Sequence, residues 1–308
     1  KKTNVNSKKK TTRNIIIILA CVVLAVALFF LGAVIAKYAR GRQHNKIAQE
    51  MYNPSSVESK PDVWAQPQEE LTEEGISMDF ETLHKVNPDV IGWISIPNTK
   101  LDLPVAQCDN NYFYLDKSIE KKDNPFGVPF VDYKATIVNE YQSSNITIYG
   151  HAAKDGTYFA AVKNYKDVEY YKQHPLITFN TIYGKGEYKI IGAFMEDVRI
   201  SNPKIFPYHM FVDMEDETKM NEFVDSVLKR SYFTTDVDVK PKDHFITLST
   251  CDTELDSSLT TPYRMVLVAR KIRDGEKTTV DVSKAQANTE MIMPDGWMDK
   301  KGKQNPYK

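Results

Sequence analysis

One apolar stretch dominates the pattern: residues 15–36 (IIIILACVVLAVALFFLGAVIA) are uninterrupted, whereas elsewhere apolar positions come in short runs. At ~1.5 Å per residue this stretch reaches roughly 33 Å, about the hydrocarbon thickness of a bilayer, and it predicts a transmembrane helix. A cleaved signal peptide is the competing reading, because Ala33, Ala36 and Ala39 offer small residues for cleavage. Signal-peptide apolar cores, however, run only about 7 to 15 residues, which favours the uncleaved anchor. Residues 37–77 turn polar, with Asn53-Pro54-Ser55-Ser56, Lys60-Pro61 and Gln66-Pro67-Gln68, and read as a stalk; 45–51 suit a solvated helix equally well.

The folded body opens near Met78, where Met78, Phe80, Leu83 and Val86 form one face of a short helix that Asn87-Pro88 ends. Short strand patterns follow at 91–96, 101–106, 128–131, 146–149, 176–180, 187–195, 244–249 and 263–271. Helical patterns interrupt them at 158–165, 167–173 and 215–230, the last carrying Met220, Phe223, Val224 and Val227 as one stripe. Strands with so few helices between them argue against a doubly wound parallel sheet. They predict a mostly β fold, a largely antiparallel barrel or sandwich with helical insertions. Residues 273–308 are polar and read as a C-terminal tail, laid on the surface or disordered.

Composition supports a folded body, since 42% of the 308 residues are apolar and 26% charged. Charge is distributed unevenly. Lys1, Lys2, Lys8, Lys9, Lys10 and Arg13 precede the apolar run, leaving 34 basic against 41 acidic residues, a net of −7, for everything after. A basic nucleic-acid-binding body is thereby excluded, and no nucleic-acid partner is expected. Lys37, Arg40, Arg42 and Lys46 follow the run, but the six cations on the short leading tail favour an N-terminus inside and a body outside the membrane. Of three cysteines, Cys21 lies in the apolar run and only Cys108 and Cys251 remain, so no disulfide framework is being built.

The candidate chemistry centres on Asp243-His-Phe-Ile-Thr-Leu-Ser-Thr-Cys251, a strand pattern ending in a thiol. Alternation places Phe245, Thr247, Ser249 and Cys251 on one face. Most free cysteines are small buried hydrophobes; a nucleophile needs a base and something to hold an oxyanion. Among six histidines, His44, His84, His174, His209 and His244 fall in the stalk, the leading helix, two loops and the far end of the Cys251 strand. His151 follows the strand Asn145-Ile-Thr-Ile-Tyr-Gly150 and so sits at a strand end. Arg264 opens the next strand after Cys251, and sequential strands usually pair antiparallel, which brings the two close. No metal-ligand cluster, phosphate loop or dinucleotide fingerprint is present, and no cofactor is called for. Asp213, Glu215, Asp216 and Glu217 suit an acidic helix N-terminus better than a calcium site.

Taken together these residues resemble the sortases, membrane-anchored cysteine transpeptidases of Gram-positive bacteria. The matches are Thr247-Leu-Ser-Thr-Cys251, Tyr149-Gly-His151 and Tyr263-Arg264-Met-Val-Leu-Val, with serine at 249 as in class B. Gly92-Trp-Ile-Ser-Ile96, Pro104-Val-Ala-Gln107, Asp109-Asn110-Asn111, Tyr114-Leu115 and the helix before the cysteine strand extend the similarity over residues 78–272. The resemblance implies a closed β-barrel of the sortase kind at 78–272, behind a cytoplasmic tail (1–14), an anchor (15–36) and a stalk (37–77). It implies Cys251 as nucleophile, His151 as acid/base and Arg264 as the donor that orients substrate and holds the oxyanion. Ser249, Thr250, Asn111 and Leu115 would touch the substrate.

The implied activity is cleavage of a sorting signal after threonine, through a thioester, with transfer to an amine of a peptidoglycan precursor; polymerising pilins through a lysine is the variant reading. The catalytic body would face outward from the cell membrane. Two features depart from the family pattern, the tail after Ile272 and Cys108, where a small residue is more usual. A papain-like hydrolase fits poorly, since its cysteine opens a helix and precedes its histidine. A non-enzymatic anchored binding domain would make Cys251 and His151 ordinary structural residues.

Overall fold

A computed structural model describes residues 2–52 and 75–297, other than 140, 200, 203, 215 and 259, with side chains from Asn14 onward. The chain divides into two units, Lys1–Asn45 and Lys46–Lys308. Helix α1 (Lys2–Met51) makes up the first unit and continues into the second. Its apolar side chains at 15–36 are exposed, and an 18-residue window of mean hydropathy 3.3 makes it long and apolar enough to cross a membrane. The helix carries on into the first residues read as a stalk. No proline interrupts the chain before Pro54, so α1 runs through the polar residues to Met51.

Within the second unit the end of α1 is packed rather than solvated. Ala48 is buried, and Tyr52 stacks on Trp93 with ring centroids 4.3 Å apart. The Tyr52 hydroxyl accepts from Asn180 Nδ2 at 3.0 Å. The rest of the expected stalk, 53–74, lies outside the described residues. The leading turn follows as a 3₁₀ segment (Met78–Phe80) and α2 (Glu81–Val86). Only Phe80 and Leu83 of the predicted apolar face are buried there; Met78 and Val86 remain exposed.

Eight strands close into a barrel. They are β1 (Val90–Ser95), β2 (Asp102–Ala106), β3 (Phe130–Val131), β6 (Asn145–Tyr149), β7 (Leu176–Thr181), β8 (Glu187–Asp197), β9 (Phe245–Cys251) and β10 (Tyr263–Lys271). A small hairpin, β4 (Ile137–Val138) with β5 (Tyr141–Gln142), lies outside it; two-residue strands leave no readable alternation. Around the barrel the order is β1-β2-β3-β6-β9-β10-β8-β7, with the ring completed by β7 against β1. Six of its eight pairings are antiparallel, and the parallel ones join β2 to β3 and β6 to β9.

Strand β9 is buried on both faces because the barrel interior fills one and a helical layer covers the other. That layer is α4 (Glu217–Arg230), whose predicted stripe of Met220, Phe223, Val224 and Val227 packs with Phe194, Phe245, Val266 and Val268. Each such fully buried side chain contributes about 1.5–3 kcal/mol. Asp216 caps α4 by accepting from Thr218 N at 2.9 Å, the helix-terminus role expected of this acidic run. The segment predicted helical at 158–165 is a 3₁₀ run (Phe159–Lys166), followed by α3 (Val168–Gln173).

The polar C-terminal segment is laid on the body as far as 297, and residues 298–308 lie outside the described residues. Backbone bonds from Thr234 N to Gln286 O and from Ile292 N to Lys229 O attach it, with Ala285 and Met293 buried. Its root is charged. Arg270, fully buried, donates to both carboxylate oxygens of Glu276, which also accepts from Lys189 Nζ at 2.7 Å. These donors hold the Glu276 carboxyl well below its ordinary range, the Arg270 bonds first.

Candidate active site

Register builds the site. Cys251, the last residue of β9, pairs directly with Arg264, the second residue of β10, as sequential antiparallel strands require. On the other side of β9 the parallel ladder sets Tyr149 of β6 opposite Ser249, and Gly150 N donates to Ser249 O at 3.1 Å. Continuing that register by two residues brings His151 beside Cys251. Glycine at 150 is required by a close approach: a Cβ there would lie 2.8 Å from the Phe159 ring. Phe159 N in turn donates to His151 O at 2.9 Å, fixing the backbone that carries the imidazole.

A cavity of about 220 Å³ opens at this end of the barrel. Cys251, His151 and Arg264 line it, and so do Ser249, Thr250, Asn111 and Leu115, so all seven residues singled out in the sequence meet at one place. His151 Nε2 lies 3.1 Å from Leu115 O. A carbonyl only accepts, so Nε2 carries the hydrogen, and a neutral imidazole then keeps its lone pair on Nδ1. Arg264 donates from Nη1 to Thr261 O at 2.6 Å and Tyr263 O at 3.0 Å. Both bonds use one arm of the guanidinium, leaving Nη2 and Nε as donors for a ligand.

The loop between β9 and β10 is tied at its neck. Asp252 N donates to Tyr263 O and Thr261 Oγ1 to Asp252 O, both at 2.9 Å. Lys166 braces it from the 3₁₀ run, 2.6 Å from the buried Asp252 and 2.8 Å from Glu254. The other histidines are elsewhere: Nδ1 of His84, His174 and His244 approaches the carbonyls of Val90, Pro97 and Ser143, and half-buried His209 has its pKa lowered by burial. Cys21, Cys108 and Cys251 are all free thiols.

Sequence reading passed over several supporting residues. Tyr208, whose pKa burial pushes up to about 12, bonds Ser249 Oγ at 2.8 Å from the loop before α4. Asp132, immediately after β3, is 1% exposed and accepts from Tyr149 and Asn111. A lone Tyr in a loop and a lone Asp after a strand carry no local signal; the strand order gives them their neighbours.

Glu196 of β8 pairs with Arg264 across the ladder and sits 3.4 Å from Arg230 Nε. Burial outweighs the arginine and raises its pKa from 4.5 to about 7. The unfolded chain thus releases this proton near 4.5 and the folded one near 7, so stability falls as pH rises between those values and stays lower above. The shift corresponds to about 3 kcal/mol. Urea unfolding from pH 4.5 to 8 is expected to show the decline, and Glu196→Gln to flatten it; an unchanged slope in the variant would assign the decline to other groups.

Comparison with known proteins agrees with this geometry. A family model described as the sortase domain matches residues 94–272. Sortase B of Staphylococcus aureus is 30% identical over 201 residues, covering 65% of this chain and 78% of that one. Sortase B of Listeria monocytogenes is 32% identical over 178 residues, covering 58% and 69%. A Bacillus anthracis sortase B structure, in complex with AAEK1, superposes with a TM-score of 0.63 over 78% of this chain and 99% of that one; at 24% identity it speaks to the fold. A Staphylococcus aureus sortase B–substrate complex superposes with a TM-score of 0.56 at 30% identity, covering 64% and 86%. The chain belongs to the sortase family, in the company of its class B members, and is a sortase-type cysteine transpeptidase.

Proposed function

We propose that the protein cleaves a C-terminal sorting signal after threonine and transfers the new carbonyl end to a cell-wall amine. The observation that carries this reading is the register that sets Arg264 opposite Cys251, with His151 two residues past the end of the neighbouring parallel strand, around one cavity. Cys251 passes its thiol proton to the His151 imidazole as Sγ attacks the threonine carbonyl carbon, and a tetrahedral oxyanion forms, held by Arg264 donors. As the C–N bond breaks, His151 delivers a proton to the departing nitrogen, leaving a thioester on Cys251. An incoming amine loses its proton to the imidazole, attacks the thioester and releases the thiolate.

The related substrate complex, and a sortase B complexed with triglycine, support a peptide donor and an amine acceptor. A peptidoglycan precursor is the acceptor in this reading, and a pilin lysine the variant. Ser249, Thr250, Asn111 and Leu115 form the walls against which the signal peptide lies. Residues 15–36 anchor the protein in the cell membrane, with the tail 1–14 inside, the linker 37–77 following and the catalytic domain 78–272 outside; 273–308 is the C-terminal tail.

The test incubates the soluble protein, residues 46–308, with fluorogenic sorting peptides of the asparagine–proline and leucine–proline types, with and without triglycine, read by mass spectrometry. A Cys251-dependent product carrying the added amine is expected. Absence of cleavage together with an unreactive Cys251 thiol would instead favour an anchored binding domain.

A further inference from the structure

Asp132 is a carboxylate nearly sealed from solvent, and it does not line the cavity beside Cys251. Its backbone extends β3 by one bond, N to Thr147 O at 2.9 Å, which fixes where the side chain begins. Oδ2 accepts from Tyr149 OH at 2.8 Å and from Asn111 Nδ2 at 3.0 Å, while Oδ1 accepts from Lys134 N at 3.0 Å. Two of these three donors belong to residues that do line the cavity. Burial raises the Tyr149 phenol well above its ordinary range, so it serves as a donor to the carboxylate.

Asn111 is held from both ends. Its Nδ2 donates to Asp132, and its Oδ1 accepts from Tyr133 N at 3.0 Å. A backbone N–H only donates, so the oxygen must be the atom that faces Tyr133 N and the amide has one orientation. One Nδ2 hydrogen and one Oδ1 lone pair remain, a donor and an acceptor side by side in a residue that faces the cavity. That pair matches a side-chain carboxamide, whose C=O and syn N–H lie side by side. A free asparagine amide could offer either end; this one cannot turn over without setting its NH₂ against the backbone N–H of Tyr133.

We infer that Asp132 is a positioning residue that fixes the Asn111 amide and the Tyr149 ring so that the cavity reads an amide group of the sorting peptide in one direction. This rests on the proposed reading of the cavity as a peptide site. Asp132 itself touches neither the peptide nor Cys251, so its removal acts on recognition.

Asp132→Asn keeps the shape but leaves one accepting oxygen where Tyr149 OH, Asn111 Nδ2 and Lys134 N need two. With the fluorogenic peptide that the wild type cleaves, KM is expected to rise about tenfold or more while kcat stays within about threefold. Alkylation of Cys251 by iodoacetamide should keep its rate. In the exchanged pair Asn111→Asp with Asp132→Asn, one amide again faces one carboxylate, so Tm should recover. KM should stay high, because residue 111 then has no hydrogen to donate. The exchanged pair also serves if Asp132→Asn alone fails to fold.

Wild-type KM in Asp132→Asn, or recovery of KM in the exchanged pair, would overturn the inference. So would a fall in Cys251 alkylation, which would mean that the whole site had moved. The positioning is also read without any peptide, by NMR of the Asn111 side chain. A slowly exchanging Nδ2 hydrogen is expected in the wild type and lost in Asp132→Asn; its persistence in the variant counts against Asp132 even if no sorting peptide is ever cleaved. Failure of the wild type to cleave any peptide counts against the proposed reaction instead.

Discussion

Cys251→Ala should lower peptide cleavage and amine transfer by roughly ten-thousand-fold or more, to the level of binding and oxyanion stabilisation alone. No other thiol can take over. Cys251 is the thiol that lines the cavity, while Cys21 lies in the apolar stretch of α1 and the Cys108 Sγ donates to Asn110 O at 3.4 Å. The fold should hardly respond. Cys251 ends its strand and is partly exposed, so removing one sulfur there costs within about 1 kcal/mol. The check is paired: peptide turnover and denaturant midpoint on the same preparation. Cleavage at the wild-type rate would exclude the thioester route. A collapse in stability would mean that Cys251 is a core residue first.

Arg264→Lys should reduce kcat by about a hundred- to a thousand-fold although the charge is kept, with a smaller change in KM. Arg264 spends one guanidinium arm on the carbonyls of Thr261 and Tyr263, which hold it at the mouth of the β9–β10 loop. Its second arm is then free to reach a substrate oxygen from a fixed position. Lysine has a single nitrogen at the end of a flexible stem. It can satisfy those carbonyls or meet the oxyanion, and a compact ammonium drawn to two carbonyl oxygens stays with them. Steady-state kinetics on the cleaved peptide decides the matter, and a kcat within about threefold of wild type would remove Arg264 from the chemistry.

The strands were legible because each places its apolar side chains in short runs bounded by Gly, Pro, Asn or Asp. Thus β10 falls on its expected residues, and β1, β7 and β8 depart by a residue or two at their ends. What the sequence hid are contacts made by single residues. Tyr52 is one aromatic in a polar run until Trp93 is set beneath it, and Met291-Ile292-Met293 is a short apolar run in a polar tail.

The site divides in the same way. Cys251 and Arg264 lie on consecutive strands, so local pairing rules bring them together. Placing His151 with them needed the family motif, because β6 meets β9 only through the barrel's order. Asp132 was invisible for a related reason. Its partners Asn111 and Tyr149 come from a loop before β3 and from β6, and no pattern along the chain links them.

The parallel ladder between β6 and β9 also governs when the protein can become active. Its two strands are separated by all of α3, β7, β8 and α4, so closing it requires a loop of about half the catalytic domain. Such contacts form late, because the entropy of closing the chain must be overcome before any pairing compensates it. A polypeptide made from its N-terminus carries His151 long before it carries Cys251, and Arg264 comes later still. Every partly made chain therefore lacks a working site, and the thiol meets its partners only when the final two strands complete the ring.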